Sequence, residues 1–137
     1  MGRIYIFSEL IKYKKKYDID FLGFVDDNFA VSRKRIFKMR DVMGEWCKGN
    51  NVFWGTHARL DEAADIKKVE EGGNIVFNSP LRVQGMYDSG CRYIGFGAES
   101  ASPRMLDRMG KGGFILTHGV KNVFGHDVPV TMMEGIK

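Results

Sequence analysis

Three short polar clusters could do chemistry together: Asp26-Asp27-Asn28, His57-Ala58-Arg59 and Glu99-Ser100. Each follows an apolar run. Carboxylates set beside cations and an imidazole can hydrogen-bond a polar small molecule. A single polar residue after a strand is usually a turn former or a helix cap. Three clusters behind three neighbouring parallel strands would instead share one rim, because functional residues of parallel α/β folds collect at the carboxyl ends of the strands. Their common placement points to a polar small-molecule site.

More specific chemistries fail on spacing. Asp26-Asp27 could hold Mg²⁺ as in a phosphate-accepting receiver domain, but that design needs a further Asp at the next strand end, where His57 and Arg59 stand. Gly95-Phe96-Gly97 lacks the third glycine of a dinucleotide fingerprint, and Glu99 occupies the position a phosphate would approach. His57, His118 and His126 are too scattered to read as ligands. Cys47 and Cys91 make neither a disulfide framework nor a metal site by themselves, and both read as structural.

Helical and strand-like periods alternate along the chain. Ile4, Phe7, Leu10 and Ile11 share one helical stripe. The run 19–25 is apolar on both faces, as a buried parallel strand requires. Ser32 can cap a helix whose stripe is Ile36, Met39, Met43, Trp46 and Cys47, with Arg33-Lys34-Arg35 expected as a solvated first turn opposing the helix dipole. A second strand over 52–56 leads to a short helix from Asp61 to about Val69. Residues 70–80 read as an insertion, broken by Gly72-Gly73 and by Asn78-Ser79-Pro80. A helix over 81–89 closes on Gly90, a third strand covers 91–97, and Ser102-Pro103 starts a short helix that stops at Gly110. Beyond Lys111 the spacing predicts a long loop and a last helix near Thr131. The alternation implies parallel strands joined by helical crossovers, in one domain over 1–137. Periodicity alone leaves an open doubly wound sheet and part of a closed barrel as alternatives.

The totals bound the function. The 137 residues carry a net charge of +4, much of the excess sitting in 12–16 and 33–35. Neither run has the aromatic interleaving of a single-strand binder or the Cys/His spacing of a zinc finger, so nucleic acid is not an expected partner. No apolar stretch reaches the roughly eighteen residues a membrane helix needs, and the N-terminus lacks a signal peptide pattern. Two distant cysteines suit a reducing cytoplasm.

The segments Phe24-Val25-Asp26-Asp27-Asn28-Phe29, Trp54 to Asp61 and Ser89 to Ser100, the last continuing from Leu106 to Gly112, resemble the radical S-adenosylmethionine superfamily, most closely the branch whose members often carry a cobalamin-binding domain. The resemblance spans about residues 4 to 113. It implies a partial TIM-like (β/α) barrel, truncated at both ends and holding about strands two to four. It implies S-adenosylmethionine and a [4Fe-4S] cluster as cofactors of the parent enzyme, cobalamin where that domain is present, an electron donor, and reductive cleavage to a 5′-deoxyadenosyl radical.

Residue by residue, Asp26-Asp27-Asn28 stands where many relatives have a Gly-Gly-Glu turn that holds the methionine amino group. Glu99 and Ser100 match the motif facing the ribose, and Lys111 matches a basic residue that pairs with the methionine carboxylate. Arg59 joins them as a rim residue without an assigned role. The family's three-cysteine loop is not in this sequence, so the chain reads as a fragment unable to assemble the cluster alone. Three strands cut from a barrel would leave an uncovered inner face carrying residues such as Phe21 or Phe24. The alternative from another class is a self-contained, non-catalytic α/β module that binds a small molecule or nucleotide.

Overall fold

The computed structural model describes residues 2–137, with the side chains of residues 2–4, 6, 114 and 115 outside the described set. Ile4 of the first apolar stripe is among those excluded.

Helix α1 (Gly2–Tyr17) leads to strand β1 (Phe21–Gly23), and a 3-10 turn (Phe29–Val31) precedes helix α2 (Arg33–Asn50). Strand β2 (Phe53–Ala58), helix α4 (Arg82–Asp88) and strand β5 (Cys91–Phe96) complete the central unit. Between β2 and α4 lie helix α3 (Leu60–Ala64) and a hairpin of β3 (Ile66–Val69) and β4 (Ile75–Phe77). After β5 come α5 (Pro103–Arg108), α6 (Gly112–Ile115), a second hairpin of β6 (Val120–Val123) and β7 (His126–Pro129), and α7 (Val130–Ile136).

Strands β1, β2 and β5 form one parallel sheet in that order, in register at Gly23–Gly55 and His57–Gly95. The fold is therefore α/β. Among the described residues the sheet has three strands and does not close into a barrel.

Helices α2 and α4 cover one face of the sheet, onto which alternation sends Leu22, Trp54 and Ala58. Trp54 is fully buried. Its indole N–H donates to the Ser89 carbonyl at 2.9 Å, and its ring meets Phe24 edge-on at 5.4 Å and Phe29 at 5.1 Å. Ile36, Met43 and Cys47 of the expected α2 stripe are buried, while Met39 and Trp46 pack against them partly exposed. Close approach of α2 to α4 needs Gly44, where a Cβ would lie 2.6 Å from the Asp88 carbonyl oxygen. The opposite face of the sheet carries Phe21, His57 and Tyr93, all exposed. Phe24, expected beside Phe21, packs into the core instead, because it stands two residues on from Leu22 and so points to the covered face.

Three expectations are corrected. The helix predicted from Asp61 to about Val69 ends at Ala64, since Asp65 takes a left-handed conformation (φ 48°) and residues 66–69 become a strand. The segment 70–80, read as an irregular insertion, supplies the return strand of that hairpin around Gly72 and Gly73, both at positive φ. The region after Lys111 is a short helix and a hairpin rather than a long loop.

The basic first turn of α2 is also not a solvated face. The Ser32 hydroxyl caps it, accepting from the Arg35 N–H at 3.3 Å. Arg33 pairs with the buried Asp65, and Arg35 reaches Asp26 at 3.3 Å and the Phe29 carbonyl. These partners are distant in sequence or outside the helix, so helical spacing does not show them.

Candidate functional site

The three strand ends bring Asp27, His57, Arg59, Asp61, Glu99 and Lys111 around a cleft of about 580 Å³. Gly97, Gly110 and Gly113 leave backbone accessible along its wall. Five of the residues singled out from the sequence thus meet: Asp27, His57, Arg59, Glu99 and Lys111.

Local structure explains how Lys111 reaches the rim. Pro103 occupies the first turn of α5, where a missing N–H costs nothing. Gly110, at φ 69°, ends the helix: its N–H donates to the Asp107 carbonyl at 2.9 Å, and the Lys111 N–H reaches back to Leu106 at 2.8 Å. This paired closure is a Schellman motif, and it reverses the chain toward the strand ends. The Lys111 Nζ then donates to Glu99 Oε1 at 2.6 Å. Glu99 itself sits at φ 59°, a conformation that side chains other than glycine adopt at a cost of about 1 kcal/mol or more. The strained backbone aims its carboxylate at the cleft. Both partners of this pair are substantially exposed, with side chains 36% and 51% accessible.

Arg59 lies at the N-terminus of α3 and forks onto Asp61, Nε to Oδ1 at 2.9 Å and Nη2 to Oδ2 at 3.2 Å. Asp61, absent from the candidate set, completes the cleft. An Arg two residues before an Asp was the available signal. His57, of the second rim cluster, projects from the open face of the sheet opposite Gly95, in line with its place at a strand end.

The remaining candidates turn elsewhere. The Asp26 carboxylate accepts from the Asn28 N–H at 3.0 Å and from Arg35, tying the β1 loop to α2. The Asn28 amide, oriented to donate, lies 2.7 and 2.8 Å from the two oxygens of Glu62. Glu62 is buried, and burial pushes its carboxyl above the usual range, while the Arg59 N–H acts in the opposite sense. The Ser100 hydroxyl accepts from the Ser102 N–H at 3.1 Å, a turn contact. The predicted hydroxyl cap of Ser102 does not form.

Among the described residues no group of three or more His, Cys, Asp or Glu could hold a metal ion. Both cysteines are buried. Desolvation raises the Cys47 thiol and pushes Cys91 up to about 11, which keeps both protonated and poor as thiolate ligands. No described helix is long and apolar enough to cross a membrane.

No protein-family profile matches the chain, and no solved structure matches it. A curated relative, an uncharacterised methyltransferase of Pyrococcus horikoshii, is 28% identical over 107 residues. The alignment covers 78% of this chain and 20% of that protein, so the chain spans about a fifth of the relative it matches.

Proposed function

We propose that the rim cleft is one wall of an S-adenosylmethionine site in an enzyme of methyl or radical transfer. The observation that carries this reading is the convergence of Asp27, Arg59, Glu99 and Lys111 from three successive strand ends on one cleft. The name of the archaeal relative agrees with it.

The donor set fits the cofactor. A preformed, exposed Lys111–Glu99 pair can open to receive a zwitterion, with Lys111 taking a carboxylate and Glu99 accepting from hydroxyls or an ammonium. Solvent already competes for such a pair, so exchanging its partner costs little. The Arg59–Asp61 fork fixes a second cation and anion in the cleft lining. The glycine-lined wall lets a ligand approach backbone N–H and C=O groups. When bound, S-adenosylmethionine supplies an activated carbon–sulfur bond; the role of these residues is to bind, orient and screen it from water.

The finer reading follows the family resemblance: reductive cleavage of the cofactor, with an electron donor and, in the cobalamin-associated branch, a relayed methyl group. Cys47 and Cys91, both buried with raised thiol pKa values, do not fit a [4Fe-4S] cluster, so its ligands would come from other residues.

Calorimetric titration of S-adenosylmethionine tests the site. Glu99→Gln and Lys111→Met should each weaken binding about ten- to a hundredfold, the effect of losing one charge-assisted contact of roughly 1.5–3 kcal/mol. Unchanged affinity in both variants, with an unchanged circular dichroism spectrum, would remove this reading.

A further inference from the structure

Glycine is placed unevenly on the parallel sheet. By alternation Gly23, Gly55 and Gly95 fall on its open face, and Gly97 follows directly after β5. Glycine weakens a strand, and none of these four takes the left-handed backbone that would favour it. The space around each shows what the missing side chain makes room for. A Cβ on Gly55 would stand 2.9 Å from both Phe21 Cζ and Tyr93 Cβ, and one on Gly95 would stand 2.6 Å from His57 Cδ2. Gly23 faces open space, with nothing within 4 Å.

Gly97 differs from the other three. Apart from its chain neighbours, a Cβ there would meet a single atom within 4 Å, Glu99 Oε1 at 3.2 Å. That oxygen is the one the Lys111 Nζ holds at 2.6 Å, and Glu99 carries it from a left-handed backbone at φ 59°. A methyl group at 97 would be closer than an ordinary van der Waals contact and would press on the oxygen that the lysine grips. The fold does not ask for glycine here. Replacing glycine by alanine on a compatible backbone usually stabilises a protein, because the unfolded chain loses conformational freedom. Glycine at 97 therefore weakens the fold slightly, and its only visible return is the seat of the Glu99 carboxylate.

We infer that Gly97 is a positioning residue of the cleft: its missing side chain seats the Glu99 carboxylate beside Lys111 and keeps one side of Oε1 clear for a ligand. The inference rests on the reading of the cleft as an S-adenosylmethionine site and adds to it a residue that acts through Glu99. In that reading Glu99 accepts from a hydroxyl or ammonium group of the cofactor. Such a donor must come within about 2.5–3.2 Å of the carboxylate oxygen. A methyl group 3.2 Å from Oε1 takes up part of that space. Alanine at 97 thus harms binding in two ways, by displacing the acceptor and by filling one approach to it.

The test sets binding against stability. By calorimetry, Gly97→Ala should weaken S-adenosylmethionine binding about three- to tenfold, less than losing the Glu99 contact outright. Its urea midpoint should equal or exceed that of the wild type. Gly23→Ala, on the same sheet and with open space around it, is the control: it should leave the affinity unchanged. A double-mutant cycle then asks whether the effect runs through Glu99. In a Glu99→Ala background the methyl group has no carboxylate to press on, so adding Gly97→Ala should change the affinity by less than about twofold. The inference is overturned if the loss persists in that background, or if it comes with a lowered urea midpoint, which would mark a structural role. Wild-type affinity in Gly97→Ala alongside weakened binding in Glu99→Gln sinks this inference and spares the site. Absence of any S-adenosylmethionine binding by the wild-type protein sinks both.

Discussion

Two carboxylate–cation assemblies in this molecule use the same chemistry for opposite ends. Asp65, with no side-chain exposure, receives Arg33 from α2, the Arg82 N–H at 2.7 Å and its guanidinium at 3.3 Å from α4, and the Asn78 amide at 3.1 Å after the first hairpin. Glu99 has a single contact with Lys111, open to solvent on both sides. The first is locked because every lone pair is occupied and water is excluded. The second is replaceable. Burial and the number of partners, rather than the identity of the residues, separate a structural clamp from a binding element.

The largest expected effect comes from breaking the locked assembly. Asp65→Ala leaves two guanidinium groups in a mostly buried setting without their anion and unties α2, α4 and the hairpin from one another. Loss of one partner of a buried charge network costs about 3–5 kcal/mol. Urea unfolding should show that loss, and a change below about 1 kcal/mol would mean that the network is not the clamp described.

At the replaceable pair the contrast should invert. Lys111→Met, which weakens ligand binding, should move folding stability by no more than about 1 kcal/mol, because an exposed pair contributes about that or less. Urea unfolding of the ligand-free variant checks this. A loss comparable to that of Asp65→Ala would erase the distinction between the two assemblies.

The smallest expected effect lies between them, at Glu62, which is buried like Asp65 but faces Asn28 near the cleft. Burial holds its folded-state pKa above the unfolded one, so the native state binds the proton more strongly. Its contribution therefore favours folding as pH falls from neutral toward the carboxylate range and opposes folding as pH rises. Glu62→Gln should stabilise the protein at pH 7 relative to wild type, with the difference shrinking on acidification. Thermal unfolding at pH 7 and pH 5 reads the sign. A destabilised variant at pH 7 would show that the hydrogen bonds of the carboxylate outweigh its desolvation.

Local sequence determined a good deal of this protein. Apolar runs bounded by polar clusters located the parallel strands, and the stripe from Ile36 to Cys47 oriented α2. Gly90 and Gly110 marked chain reversals that backbone sterics make nearly obligatory for glycine. The rim position of Asp27, Arg59 and Glu99 was legible because the end of an apolar run is a local property, whereas Lys111 reaches them only through the reversal at Gly110 that ends α5.

Only tertiary structure decided the rest. Which neighbour Asp26 would choose, whether Arg33 would face water or a buried anion, and whether 66–77 would be helix and loop or a hairpin all depended on partners tens of residues away. Ile66 to Val69 could continue a helix on local grounds, but the Asp65 carboxylate gathers Arg33, Asn78 and Arg82 only if the chain turns there. His57 stood in a rim cluster of the sequence, but its surroundings did not follow from that. Its ring rests on the bare backbone of Gly95, 38 residues on, because the parallel register of β2 and β5 sets the two opposite each other.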